Sequence, residues 1–191
     1  SGTAISPTLM VTVGGPWALN YFLAKYNVYE ETKLVRFCPK HYLDKRAKRF
    51  SYSRDEEHFF PSVSVDLNNI VKAGGIVALG SHSMIHGLGS HWEMWALAMG
   101  GMKPMQVLRA ATISAATVIG RATDLGSLEV GKMADLIILE KNPLEDIHNT
   151  NTVKYVMRNG ELYEAETLDQ IWPNKKQFSP MGFWEYQKIP K

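Results

Sequence analysis

The chain has 191 residues, enough for one domain or one and a half, with 45% hydrophobic and 21% charged residues, a composition that excludes a disordered chain. A formal net charge of +2 is too mild to point to nucleic acid, and no run approaches the roughly 18 apolar residues of a membrane span. The single cysteine, Cys38, excludes an internal disulfide framework.

The start at Ser1 rather than Met suggests a processed or truncated chain, and Ser1-Gly2-Thr3 lacks the charged and apolar regions of a signal peptide. Thr8 to Val13 is rich in β-formers and ends at Gly14-Gly15, which predicts a strand. Pro16-Trp17 then opens a helix with an apolar face of Trp17, Tyr21, Phe22 and Leu23. From Asn27 to Arg54 the pattern loosens into short helical pieces around Leu34–Phe37 and Tyr42–Leu43. This segment is long for a strand-to-helix connection, and two readings stay open: a wall or lid over a site, or a plain surface excursion. The basic run Lys40 to Arg49 is followed by Asp55-Glu56-Glu57 and reads as a solvated face.

Phe59 to Ala73 has apolar residues at helical spacing and ends at Gly74, a glycine placed to close a helix. Ile76 to Leu79 is a short apolar run bounded by glycines, as expected of a strand buried on both faces. Strand, helix, strand implies a βαβ unit with parallel pairing. Ser90 is placed as the N-cap of a helix through Met99, with Glu93 completing a capping box or serving a functional role. Pro104 starts the next helix, whose stripe Leu108, Ala111, Thr112, Ala115 and Ile119 suits packing on a sheet. After Gly120 come a β-run, Ala134 to Leu139, and a hairpin, Val153 to Tyr163, turning at Asn159-Gly160. Glu164 to Lys191 reads as an irregular tail packed by its aromatics.

Three histidines, His82, His86 and His91, fall within ten residues after the Ile76–Leu79 strand. Loops at the carboxyl ends of strands are where α/β folds place their chemistry. A neutral imidazole there can bind a metal or act as a base; each histidine can equally be structural. Gly87-Leu88-Gly89 lacks the full dinucleotide-binding spacing, and Ser81-His82 is not a triad.

Two segments, Pro104 to Ile147 and Ile76 to Met102, resemble the carboxyl-terminal part of the amidohydrolase superfamily of metal-dependent hydrolases. The first carries the G-x-L-x-x-G-K-x-A-D-L pattern as Gly126 to Leu136. The second is similar to barrel strand eight and its helix in a subgroup fused behind TolB-like β-propellers, and Ser6 to Trp17 matches the strand-seven region loosely. The resemblance implies an α/β fold: the C-terminal portion of a (β/α)8 TIM-type barrel plus a small β-sandwich element. Residues 1–122 would form the barrel part, 123–164 the returning sandwich strands and 165–191 the tail. It also implies a divalent metal, zinc by expectation, activating water against a C–N bond of a small-molecule or peptide-like substrate. Most ligands in that family lie on earlier strands. Here Gly80-Ser81-His82 stands where Gly-Thr/Ser-Asp is expected, so His82 would be the metal and catalytic residue, with His91 and His86 lining the substrate. The missing strands would come from the rest of the barrel or another copy of the chain. The propeller-fused relatives suggest a periplasmic or secreted protein. The alternative is a non-catalytic assembly module that keeps the fold without the metal site.

Overall fold

The computed structural model describes residues 3–12 and 14–187. Strand β1 (Ala4–Ile5) is followed by helices α1 (Ala18–Lys25), α2 (Thr32–Phe37), α3 (Lys40–Arg46) and α4 (Phe60–Lys72), and then by strand β2 (Ile76–Val77). β1 pairs with β2 in parallel, Ala4 opposite Ile76 and Ile5 opposite Val77, so the expected βαβ unit forms. Its first strand sits earlier than expected. Thr8 to Val11 is not extended: Leu9–Val11 makes one 3-10 turn, and Val13 lies outside the described residues. Leu9 and Met10 are consecutive and both fully buried, which the alternation of a strand does not allow on a one-sided surface.

Helix α5 (Leu88–Met99) follows β2. It begins two residues before Ser90, with Gly87 as its N-cap, so Ser90 caps nothing and the expected capping box does not form. The helix expected from Pro104 to Gly120 is two helices, α6 (Pro104–Ala111) and α7 (Ile113–Val118), broken at Thr112 (φ −128°, ψ −100°). The Thr112 hydroxyl donates to the Leu108 carbonyl at 2.7 Å, the back-bond by which threonine bends helices. The buried stripe is accordingly Val107, Ala110 and Ala116, one position off the expected one, and Ile119 is exposed.

The core gathers α1, α4 and α5 around an aromatic cluster. The Phe22 ring stacks on Trp92 with centroids 5.4 Å apart and planes 11° from parallel. The end of α5 lies against α4 so closely that a Cβ on Gly100 would stand 2.1 Å from the Ser64 carbonyl carbon. Asn68 Nδ2 donates to the Gly100 carbonyl across that contact at 3.0 Å.

The second sheet is antiparallel, in the order β3 (Leu136–Leu139), β4 (Val153–Arg158), β5 (Glu161–Glu164), β6 (Gln170–Trp172). The turn between β4 and β5 holds Asn159 (φ 49°) and Gly160 (φ 81°), as the Asn-Gly pair predicts. The stretch expected to be irregular instead contributes β6 and a short helix, α8 (Trp184–Gln187). Its aromatics do pack: Trp184 is buried and donates through Nε1 to the Arg36 carbonyl at 2.6 Å. No helix among the described residues is long and apolar enough to cross a membrane.

Candidate functional site

Both parallel strands end on one rim. The Ala78 N–H donates to the Ile5 carbonyl, and the Leu79 N–H donates to the Ala110 carbonyl, each at 2.9 Å. Just beyond, the strands converge so tightly that a Cβ on Gly80 would fall 1.9 Å from the Pro7 carbonyl oxygen. Only glycine fits there. The chain then enters the left-handed region at two successive non-glycine residues, Ser81 (φ 67°) and His82 (φ 53°). Such residues are strained by about 1–2 kcal/mol each, and strain of this kind gathers at working sites. His82 is exposed on this rim.

The segment leaving β1 is tied to α5 by a buried carboxylate. Glu93 Oε1 accepts from the Leu9 N–H at 2.7 Å and Oε2 from the Met10 N–H at 3.1 Å. Glu93 is 0% exposed. Burial pushes its carboxyl up to about 7, and the two N–H donors offset this only in part. The Ser-x-x-Glu spacing disguised this role. The available signal was an acid inside the otherwise apolar run Trp92 to Leu97.

The structure separates the three histidines. His86 and His91 line a cavity of 320 Å³ walled by α2 and the first turn of α5, together with Cys38, Asn151 and Val153. His82 does not line it. His86 is half of a short hydrogen bond, its Nε2 meeting the Tyr42 hydroxyl of α3, and the two rings meet edge to face. Within the segment between α1 and α4, residues from Glu31 to Cys38 form one wall of this cavity. Burial and the Lys33 ammonium together hold the His91 imidazole down at about 4, so the ring is neutral at ordinary pH.

Among the described residues, no group of three His, Cys, Asp or Glu side chains could hold a metal ion. Among the described residues, the donor set does not make a complete metal site.

Residues 24–163 match the model of the amidohydrolase family. The chain belongs to the amidohydrolase family. It is 37% identical over 99 residues to an ochratoxinase of Aspergillus niger, covering 50% of this chain and 21% of that protein. It is 44% identical over 64 residues to an imidazolonepropionase of Shouchella clausii, covering 32% of this chain and 14% of the other. A solved Xaa-Pro dipeptidase with methionine in its active site superposes with a TM-score of 0.55 at 27% identity, over 85% of this chain and 35% of that one. The chain thus spans about a fifth of the ochratoxinase and about a third of the dipeptidase. Its mixed α/β architecture agrees with these amidohydrolase neighbours.

Proposed function

We propose that this chain is the C-terminal portion of an amidohydrolase that cleaves C–N bonds of amide or peptide-like substrates. The observation that carries the reading is the family match over residues 24–163. Relatives named as an ochratoxinase, an imidazolonepropionase and an Xaa-Pro dipeptidase support hydrolysis of C–N bonds. In this reading β1 and β2 are the last two strands of a (β/α)8 barrel, and β3–β6 belong to a β-sandwich. The Ile76–Met102 stretch supports the propeller-fused branch of the family.

His82 is the residue this chain brings to the reacting rim, and its left-handed backbone beside Ser81 supports that role. His86 and His91 line the substrate. A divalent metal, zinc in this reading, takes its other ligands from outside the described residues. The remaining barrel, or another copy of the chain, covers the surface left open here. Ile119, Leu128, Val130 and Ile137 are all more than half exposed and are candidates for that covered surface.

The test is His82→Ala in the longest protein carrying this chain, assayed on Xaa-Pro dipeptides and N-acyl amino acids by amine release. Loss of hydrolysis with the fold retained supports the reading. Hydrolysis and metal content both unchanged would remove His82 from the mechanism.

A further inference from the structure

The charged groups around the 320 Å³ cavity between α2 and α5 are already engaged by the protein. Lys33 Nζ donates to the Val153 carbonyl at 2.5 Å and pairs with Glu166 at 3.3 Å. The Glu31 carboxylate accepts from Asn151 Nδ2 through both oxygens, at 3.1 and 3.2 Å. His86 is held by the Tyr42 hydroxyl. An ion entering the cavity would lose its water and find no free countercharge. Between these groups the wall is apolar, formed by Leu34, Phe37 and Leu88.

Among the described residues, one buried side-chain polar atom of the wall lacks a partner. His91 Nδ1 is sealed from solvent and has no hydrogen-bond partner among the described residues. Nε2 is not sealed, and makes no hydrogen bond there either. Buried orphan N–H donors are rarer than buried orphan acceptors, so the neutral ring keeps its proton on Nε2. The nitrogen that a ligand can reach is therefore a donor. A cavity of this size lies at the small end of ligand sites, enough for one aromatic or branched aliphatic group.

We infer that this cavity binds an uncharged, largely apolar group bearing a carbonyl oxygen that accepts a hydrogen bond from His91 Nε2. An aromatic amide is the simplest such ligand. This deepens the hydrolase reading and rests on it only in taking the ligand to be part of the substrate; binding is measured without turnover, so failure of one and failure of the other are separate results.

The probe is benzamide, titrated into the longest folded form of the protein with 15N-labelled histidine. The expected dissociation constant is on the order of a millimolar. Saturation should shift the His91 Nε2 resonance, and benzoate and benzylammonium should bind at least tenfold more weakly. Leu34→Trp, which fills the cavity, should weaken benzamide at least tenfold, as should His91→Phe, whereas His91→Gln retains a donor and should recover part of the binding. As a second readout, benzamide should slow alkylation of the cavity-lining Cys38 by N-ethylmaleimide, followed by peptide mass. Three results overturn the inference: a folded protein in which benzamide neither shifts His91 nor protects Cys38, equal binding of benzoate, or undiminished binding by Leu34→Trp with its circular dichroism intact.

Discussion

Glu93 and Leu9, 84 residues apart in sequence, are joined by a 2.7 Å hydrogen bond from a backbone N–H to a fully buried carboxylate. This bond and its 3.1 Å companion from Met10 fix the segment leaving the first parallel strand to the helix that follows the second. The rim of the site is therefore set from inside the core.

The first prediction concerns this contact. The Glu93 carboxyl is raised from 4.5 in an exposed group to about 7 in the fold. A raised pKa means that the folded state holds the proton more tightly. The stability this contributes is complete below pH 4.5 and is lost as pH climbs to 7, to the order of 3 kcal/mol. Glu93→Gln, which cannot ionise, should remove the Glu93 contribution to the pH profile in urea melts recorded from pH 4.5 to 7.5. Glu93→Ala should cost about 2–4 kcal/mol at pH 4.5, because two buried N–H groups lose their partner, and progressively less as pH rises toward 7.

His91 supplies the opposite slope. Its pKa is lowered from 6.5 to about 4 by burial and by Lys33. A depressed pKa contributes stability that is complete above 6.5 and lost as pH falls toward 4. Between pH 4.5 and 6.5 the two groups oppose each other, so the parent protein should show a nearly level profile there. Glu93→Gln should expose the His91 rise with pH, and His91→Phe should expose the Glu93 fall. Two single variants with the same sign of slope would show that at least one of these groups titrates as though exposed.

The two glycines at the ends of α5 separate steric from conformational cost. Gly100 has an ordinary φ of −79°, but a Cβ there would press into the Ser64 backbone at 2.1 Å. Gly87 has a φ of +75° with open space around a Cβ. Gly100→Ala should cost about 3 kcal/mol or more, since two helices must part. Gly87→Ala should cost about 1–3 kcal/mol with no clash at all, the strain of an alanine held in a γ-turn conformation (φ 75°, ψ −73°). Denaturant midpoints of the two variants give the comparison directly.

Local patterns in the sequence carried the fold further than the site. Asn159-Gly160 dictated its turn because only backbone preference decides there, and the Gly-bounded Ile76–Leu79 run does pair in parallel, though only over Ile76–Val77. Thr8–Val11 misled because its strand preference is outweighed by a tertiary contact, the Glu93 carboxylate, which no local pattern contains. The same holds for α5, where Ser90 and Glu93 have capping-box spacing but the helix starts earlier and turns Glu93 inward. The histidines show the limit for sites. They are close in sequence, yet the left-handed step at Ser81-His82 and the start of α5 at Leu88 divide them between the rim and the α2 cavity. The wall that completes that cavity comes from residues 31–38 and 151–153, which nothing local links to His91.

The last prediction asks whether the strain at His82 is kept for function. His82 sits at φ 53°, where a Cβ costs about 1–2 kcal/mol and glycine nothing beyond the roughly 0.5–1 kcal/mol of its extra unfolded-state freedom. His82→Gly should therefore raise the unfolding free energy by up to about 1 kcal/mol, whereas His82→Ala, which keeps the Cβ, should leave it within about 0.5 kcal/mol. If the rim is the reacting site, both variants should lose hydrolysis equally although only one relieves the strain. A stabilised His82→Gly that still turns over would mean that the left-handed rim is a by-product of the tight approach of Gly80 to Pro7. Equal stability of the two variants would mean that the backbone there relaxes without cost, and the strain argument for His82 would fall with it.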